Sequence, residues 1–248
     1  MRTLWFGYCF VPVRSPNERM GISWCCHGEL RQAEGLRLLF AMNTFEKLAY
    51  GEGYRCVAGV DEAGRGPLAG PVVAAAVIFP PAYQNSEIND SKKLTARKRN
   101  ELYKVISEEA IAVGVGVAEV AVIDRINILR ASLQAMREAV LDLSMVPDFI
   151  LIDGLHTLAV NTPQKALVRG DALSVSIAAA SIIAKVSRDR IMEMYHRQFP
   201  QYNFLQNKGY GTAEHRKILQ EIGMCKIHRR SFHLKNKDIH QTVLDWSE

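Results

Sequence analysis

The sequence predicts an α/β fold, a mixed β-sheet flanked by helices, and three observations carry that expectation. Apolar runs of strand length occur at residues 55–61, 70–79 and 149–154; helical repeats at spacings of three and four separate and follow them; and strands come first, with helices interleaved later.

Composition sets the frame. The chain has 248 residues, 48% hydrophobic and 23% charged, with a net charge of +5. That is enough for one large core and excludes disorder over the whole length, while the mild positive excess suits a polyanionic partner without demanding one. Cys9, Cys25, Cys26, Cys56 and Cys225 make an odd set with no CxxC pair, which points to a reducing compartment rather than to a disulfide framework or a zinc site. No apolar stretch reaches the ~18 residues of a membrane span, and the N-terminus lacks the pattern of a signal peptide. A cytoplasmic protein without a membrane partner is expected.

Residues 1–41 scatter Trp5, Phe6, Tyr8, Phe10 and Trp24 among Arg, Pro and Gly without any period, and read as an N-terminal extension. Met42 then opens a short helical stretch and is expected to be the true start; the intact mass of the protein from its native source tests this. From Tyr54 the order becomes regular. Two strands lead, the second closed by Pro80-Pro81. Thr95 caps a helix with Leu102, Val105, Ile106 and Ala110 on one face. Residues 111–120 alternate through Val113, Val115 and Val117 as a third strand. Leu129, Leu133, Met136, Val140 and Leu143 mark a helix closed by Pro147. A short buried strand ends in Asp153, and a helix carrying Val175, Ala179, Ile182 and Val186 follows. A core over residues 42–195 and a helical, basic part over 196–248 are expected.

The carboxylates sit at element ends. Asp61-Glu62-Ala63-Gly64-Arg65-Gly66 follows an apolar strand. It reads either as a metal-and-phosphate edge, with carboxylate oxygens for Mg²⁺ and a glycine-flanked arginine for phosphate, or as a polar turn capped by Asp61. Asp153 occupies the same kind of position, so neighbouring strands would bring both acids together. Because adjacent residues on a straight strand face opposite ways, the strand must end at Asp61 for Glu62 to serve as well. Asp171 precedes a helix start near Ser174, as a helix-terminal anion or as a further ligand. Acids without His or Cys select Mg²⁺ or Mn²⁺, and two such ions suit phosphodiester hydrolysis. No Walker loop is present. Ser91-Lys92-Lys93 before a helix offers a phosphate contact, and Tyr210 between glycines offers either a stacking surface or an ordinary turn. His228-Arg229-Arg230-Ser231-Phe232 adds charge to that substrate surface or is simply surface charge.

Taken together, the segments from Gly53 to Phe232 resemble ribonuclease HII, the bacterial type 2 ribonuclease H. The motifs are Gly59-Val60-Asp61-Glu62-Ala63-Gly64-Arg65-Gly66-Pro67, Asp90-Ser91-Lys92-Lys93-Leu94, Ile123-Asp124-Arg125-Ile126-Asn127-Ile128-Leu129, Leu151-Ile152-Asp153-Gly154, Gly170-Asp171, Ala179-Ala180-Ser181-Ile182-Ile183-Ala184-Lys185-Val186-Ser187-Arg188-Asp189 and Lys208-Gly209-Tyr210-Gly211-Thr212. The resemblance implies a ribonuclease H-like fold with a small helical C-terminal part. It implies a monomeric endonuclease acting on RNA–DNA hybrids and on ribonucleotide-containing duplex DNA. By motif matching, Asp61, Glu62, Asp153 and Asp171 would be the catalytic and metal-binding set. Gly64, Arg65 and Gly66 would read the 2′-OH, Tyr210 would stack on the sugar, and Ser91, Lys92 and Ser181 would contact phosphate. The extension and Arg169, where the family commonly has lysine, depart from the pattern. A DNA nuclease of the wider superfamily or a non-catalytic hybrid-binding module are the rival readings.

Overall fold

The computed structural model describes residues 42–232. The expectations for residues 1–41 lie outside them. The two apolar runs become β1 (Val57–Ala63) and β2 (Val72–Ile78) and the alternating stretch becomes β3 (Ala112–Ala118), an antiparallel meander. β4 (Phe149–Asp153) and β5 (Gln164–Leu167) add to the other side of β1 in parallel, giving the order β3-β2-β1-β4-β5. The sheet is therefore mixed.

Helices cover both faces. On one, Ala58, Val60, Ala74, Ala76 and Ile78 pack against Ala131, Ala135, Met136 and Ala139 of α4 (Ile128–Leu141). On the other, Ala75 and Val77 meet Leu102 and Ile106 of α2 (Ala96–Glu109) together with Ala178, Ala179, Ile182 and Ile183 of α5 (Val175–Gln198). Small residues let α5 sit close: a Cβ at Gly59 would lie 2.2 Å from the carbonyl carbon of Ser176. Strand β1 and the start of α5 are thereby pressed together.

Caps set the helix starts. Thr95 accepts from the Lys98 amide at 3.2 Å, as its sequence position predicts. Ser174 caps α5 by accepting from the Ile177 amide at 3.1 Å. Its own hydroxyl donates to Glu46 at 2.6 Å, and Glu46 also accepts from the Ser176 amide at 3.0 Å. Glu46 is buried on α1 (Thr44–Gly51), so the Met42-led helix is tied to the start of α5.

Two features differ from the sequence expectation. Strand β5 has the mixed pattern Gln-Lys-Ala-Leu, because an edge strand buries little. The stretch after β3 divides into α3 (Val120–Ile126) and α4 at Asn127, whose φ of 71° breaks the helix while its side chain caps the next by accepting from the Arg130 amide at 3.0 Å. Beyond α5, a short α6 (Phe204–Asn207) and α7 (Ala213–Ile222) pack around Tyr202, Phe204, Leu219 and Ile227.

Candidate active site

Parallel pairing of β1 with β4 ends at Val60 opposite Ile152, so Asp61 and Asp153 follow side by side where the two strands part, each still paired to its other neighbour. Asp61 is buried on the α5 face. Its Oδ1 accepts from the Glu62 amide at 2.7 Å, and Ser181 of α5 hydrogen-bonds its carboxylate. Contrary to the sequence expectation, β1 does not end at Asp61: it runs on through Ala63, with Glu62 paired to Ala74 of β2. Alternation puts Glu62 on the face of Ala58 and Val60. Pairing to β4 has already stopped, so that edge stays open to both acids. Glu62 Oε1 accepts from Arg65 Nη1 at 3.2 Å, while Oε2 is buried without a hydrogen-bond partner.

Asp171 arrives by a different route. It lies in the 3₁₀ turn Gly170–Ala172 between β5 and α5, and the Gly170 amide donates to Asp153 Oδ1 at 2.7 Å. That bond locks the turn against the end of β4. The four acids feel one another. Asp61 is raised well above the usual carboxylate range by burial and then by the charges of Glu62 and Asp153. Glu62 is raised by burial, which Arg65 opposes. Asp171 is raised by burial and by Asp153 and Asp90, with Lys92 and Lys93 pulling the other way.

Such crowding is the setting in which a cation stabilises the ionised form. Among the described residues, no group of three or more His, Cys, Asp and Glu side chains could hold a metal ion as the side chains now stand. The chemistry of the set nonetheless fits a hard divalent ion: every donor is a carboxylate oxygen, and a buried Glu62 oxygen lacks a partner.

The remaining sequence candidates cluster around this edge. Ser91 and Ser181 share a 2.7 Å hydroxyl contact, so Ser181 links Asp61 to Ser91. Lys92 is exposed beside them, with its amide donating to Asp90 at 2.9 Å. Gly64 has a φ of 97°, and a Cβ there would collide with Arg188, so only glycine fits the turn. Tyr210 is 44% exposed and its ring lies beside Gly66, where a Cβ would stand 3.8 Å from Cε1. Leu68 and Ala69 donate to the Gly209 carbonyl at 2.8 and 3.3 Å, clamping the Tyr210 loop to the chain just after the turn.

Sequence reasoning missed the groups behind these loops. Arg188 is fully buried and donates to the carbonyls of Pro71, Lys208 and Ala69 at 3.0–3.1 Å. Arg229 is buried as well, donating to the carbonyls of Arg65 and Gly70 and to that of Gly64. The reading of residues 228–232 as surface charge is therefore corrected for His228 and Arg229. Arg188 had a signal: it follows Ser181 by seven residues, two helical turns, on the face toward the sheet. Arg229 had none.

Comparison with known proteins agrees with this architecture. The family model for ribonuclease HII matches residues 58–235. A ribonuclease HII of Syntrophus aciditrophicus is 68% identical over 198 residues, covering 80% of this chain and 93% of that protein. Among solved structures, the PCNA:RNase HII complex from Archaeoglobus fulgidus has a chain 25% identical, with a TM-score of 0.62 over 73% of this chain and 97% of that one. Bst-RNase HIII in complex with Mn²⁺, at 21% identity and a TM-score of 0.58 over 71% of this chain and 65% of that one, shares the fold. With a ribonuclease H-like sheet, carboxylates at its edge and these relatives, the chain belongs to the ribonuclease HII family, enzymes that cleave the RNA of RNA–DNA hybrids.

Proposed function

We propose that this protein hydrolyses the RNA strand of RNA–DNA hybrids and also cuts 5′ of single ribonucleotides embedded in duplex DNA, leaving 3′-OH and 5′-phosphate ends. The observation that carries the reading is the crowded carboxylate edge, where Glu62 Oε2 is buried without a hydrogen-bond partner and Arg65 is the cation paired to that side chain. Asp61, Glu62, Asp153 and Asp171 would hold two Mg²⁺ or Mn²⁺ ions. When bound, such ions polarise the phosphodiester, activate the attacking water and offset charge on the leaving oxygen.

The chain's own groups prepare the substrate. Ser181 and the Glu62 amide orient the Asp61 carboxylate. Ser91, Lys92 and Ser181 line a surface for a backbone phosphate, a contact that carries affinity without sequence readout. Gly64-Arg65-Gly66 presents backbone at close approach to a ribose, where the 2′-OH separates RNA from DNA. Tyr210, exposed beside Gly66, stacks on the sugar at the junction. The protein acts as a monomer on this reading.

Two assays test it together. The wild-type enzyme with Mg²⁺ should cut a duplex containing one ribonucleotide and leave an all-DNA duplex intact; equal cutting of both would overturn the reading. Asp61→Asn should reduce cleavage by about three orders of magnitude or more while binding persists.

A further inference from the structure

The turn and the Tyr210 loop are far apart in sequence, and one dipeptide near the end of the described chain touches the supports of both. His228 pairs with Ala69 in an isolated bridge, flanked by Gly70 donating to the Ile227 carbonyl at 2.8 Å and by Arg229 donating to the Leu68 carbonyl at 2.9 Å. The segment thus lies alongside residues 68–70. From that seat the two side chains diverge. Arg229 reaches the Gly64 and Arg65 carbonyls, together with those of Gly70 and Pro71. His228 reaches the other way, its Nε2 standing 3.0 Å from Nε2 of His215 on α7.

Proton placement along this chain of contacts follows from donor chemistry. The Tyr210 carbonyl can only accept, and His215 Nδ1 stands 2.8 Å from it, so His215 carries its proton on Nδ1. A neutral His215 then accepts at Nε2, which requires His228 to donate from its own Nε2. His228 Nδ1 is left as an acceptor, and the Cys225 amide supplies it a donor at 3.0 Å. These three links are satisfied by two neutral imidazoles, and the Cys225 carbonyl, 3.3 Å from Nδ1, accepts instead from the His228 amide at 3.0 Å. Burial lowers the basicity of both rings, and they are enclosed by Tyr202 and Phe204. The same Tyr210 carbonyl also accepts from the Thr212 amide at 2.8 Å, so the loop is pinned from two sides.

We propose that His228 and Arg229 form a positioning pair that sets the spacing between Tyr210 and the Gly64-Arg65-Gly66 turn, His228 through His215 and Arg229 directly through the turn carbonyls. This rests on the roles given above to Tyr210 and the turn. Neither side chain of the pair is placed to touch substrate; both act by holding the backbone that does. The ligand recognised is the sugar of a ribonucleotide at a junction, gripped between the ring and the turn.

A double-mutant cycle measured as kcat and KM on a duplex with one ribonucleotide separates positioning from general stability. His215→Phe keeps an aromatic ring and removes both hydrogen bonds; it should raise KM about tenfold with kcat changed less than about twofold. Added to Tyr210→Ala, it should cost no further activity, because the group it positions is gone. If the two defects multiply, the relay is merely structural and the proposal fails. If Tyr210→Ala leaves KM unchanged, the stacking role fails and takes the proposal with it. If Tyr210→Ala is impaired and His215→Phe is silent, the relay alone is overturned. Arg229→Lys, which keeps the charge but cannot span the carbonyls, should raise KM in the same sense. Independently of activity, nitrogen-15 imidazole spectra of the wild-type protein at pH 7 should show His228 protonated at Nε2 and His215 at Nδ1; the opposite tautomers would overturn the assignment.

Discussion

The carboxylate edge and the brace behind the turn handle buried charge in opposite ways. At the edge, Asp61, Glu62 and Asp171 are each driven upward in pKa by burial, and neighbouring acids add to the push. In the brace, Arg188 and Arg229 are as deeply buried, yet their guanidinium groups fan onto main-chain carbonyls. One region is left short of partners and the other is saturated with them. Folding supplies what the scaffold needs, while the candidate catalytic edge keeps an electrostatic deficit that a cation would relieve.

The largest way to break this contrast is to remove a guanidinium. Arg188→Met takes their arginine donor from the Ala69 and Lys208 carbonyls and leaves Pro71 only its longer bond from Arg229, and should lower stability by about 3 kcal/mol, read from chemical denaturation. Arg188→Lys should recover less than half, because an ammonium cannot reach three divergent carbonyls. A loss near zero would mean that the brace is less tightly built than its hydrogen bonds indicate.

Next in size is relief of the acidic edge. Mg²⁺ at about a hundred times its dissociation constant should raise stability by about 2.7 kcal/mol, and Asp61→Asn should shrink that gain. Thermal melts with and without the ion measure it. An equal gain in both proteins would place the ion elsewhere.

The smallest expected effect sharpens the comparison through pH. His228 is neutral in the fold, with its pKa pushed down to about 4 from the ordinary 6.5 by burial and by His215. Above pH 6.5 neither folded nor unfolded chain is protonated there, so the stability is fully present. Between pH 6.5 and about 4 the unfolded chain takes the proton first, and stability should be lost progressively across that window. The edge acids have the opposite sign: their raised folded pKa values mean that protonation on acidification relieves the fold. Asparagine at position 61 should therefore make acid denaturation steeper, and titration of denaturation midpoints for both proteins checks it.

Legibility in the sequence divided along the same line. Strands β1 to β4 and helices α2, α4 and α5 announce themselves by apolar period, because each buries a face. The acids were legible as endings: Asp61 and Asp153 close apolar runs, and Asp171 precedes a capped helix. What the pattern concealed was polar burial. Arg188, His215, His228 and Arg229 are residue types usually found outside, and their partners are carbonyls and ring nitrogens distant in sequence, which leave no periodic trace. Even the extension of β1 through Glu62 escaped, since a strand that keeps one neighbour while losing the other looks, in one dimension, like a strand that has stopped.

The order of these parts along the chain also bears on synthesis. Asp61, Glu62, Asp153 and Asp171 all leave the ribosome before His228 and Arg229 do. A nascent or prematurely terminated chain therefore holds a full complement of acids while the carbonyls of Gly64 and Arg65 still lack the guanidinium that donates to them. On the proposed roles, the grip on a ribose would take shape only when translation has passed Arg229, and an incomplete polypeptide would carry the proposed cutting residues without the means to aim them.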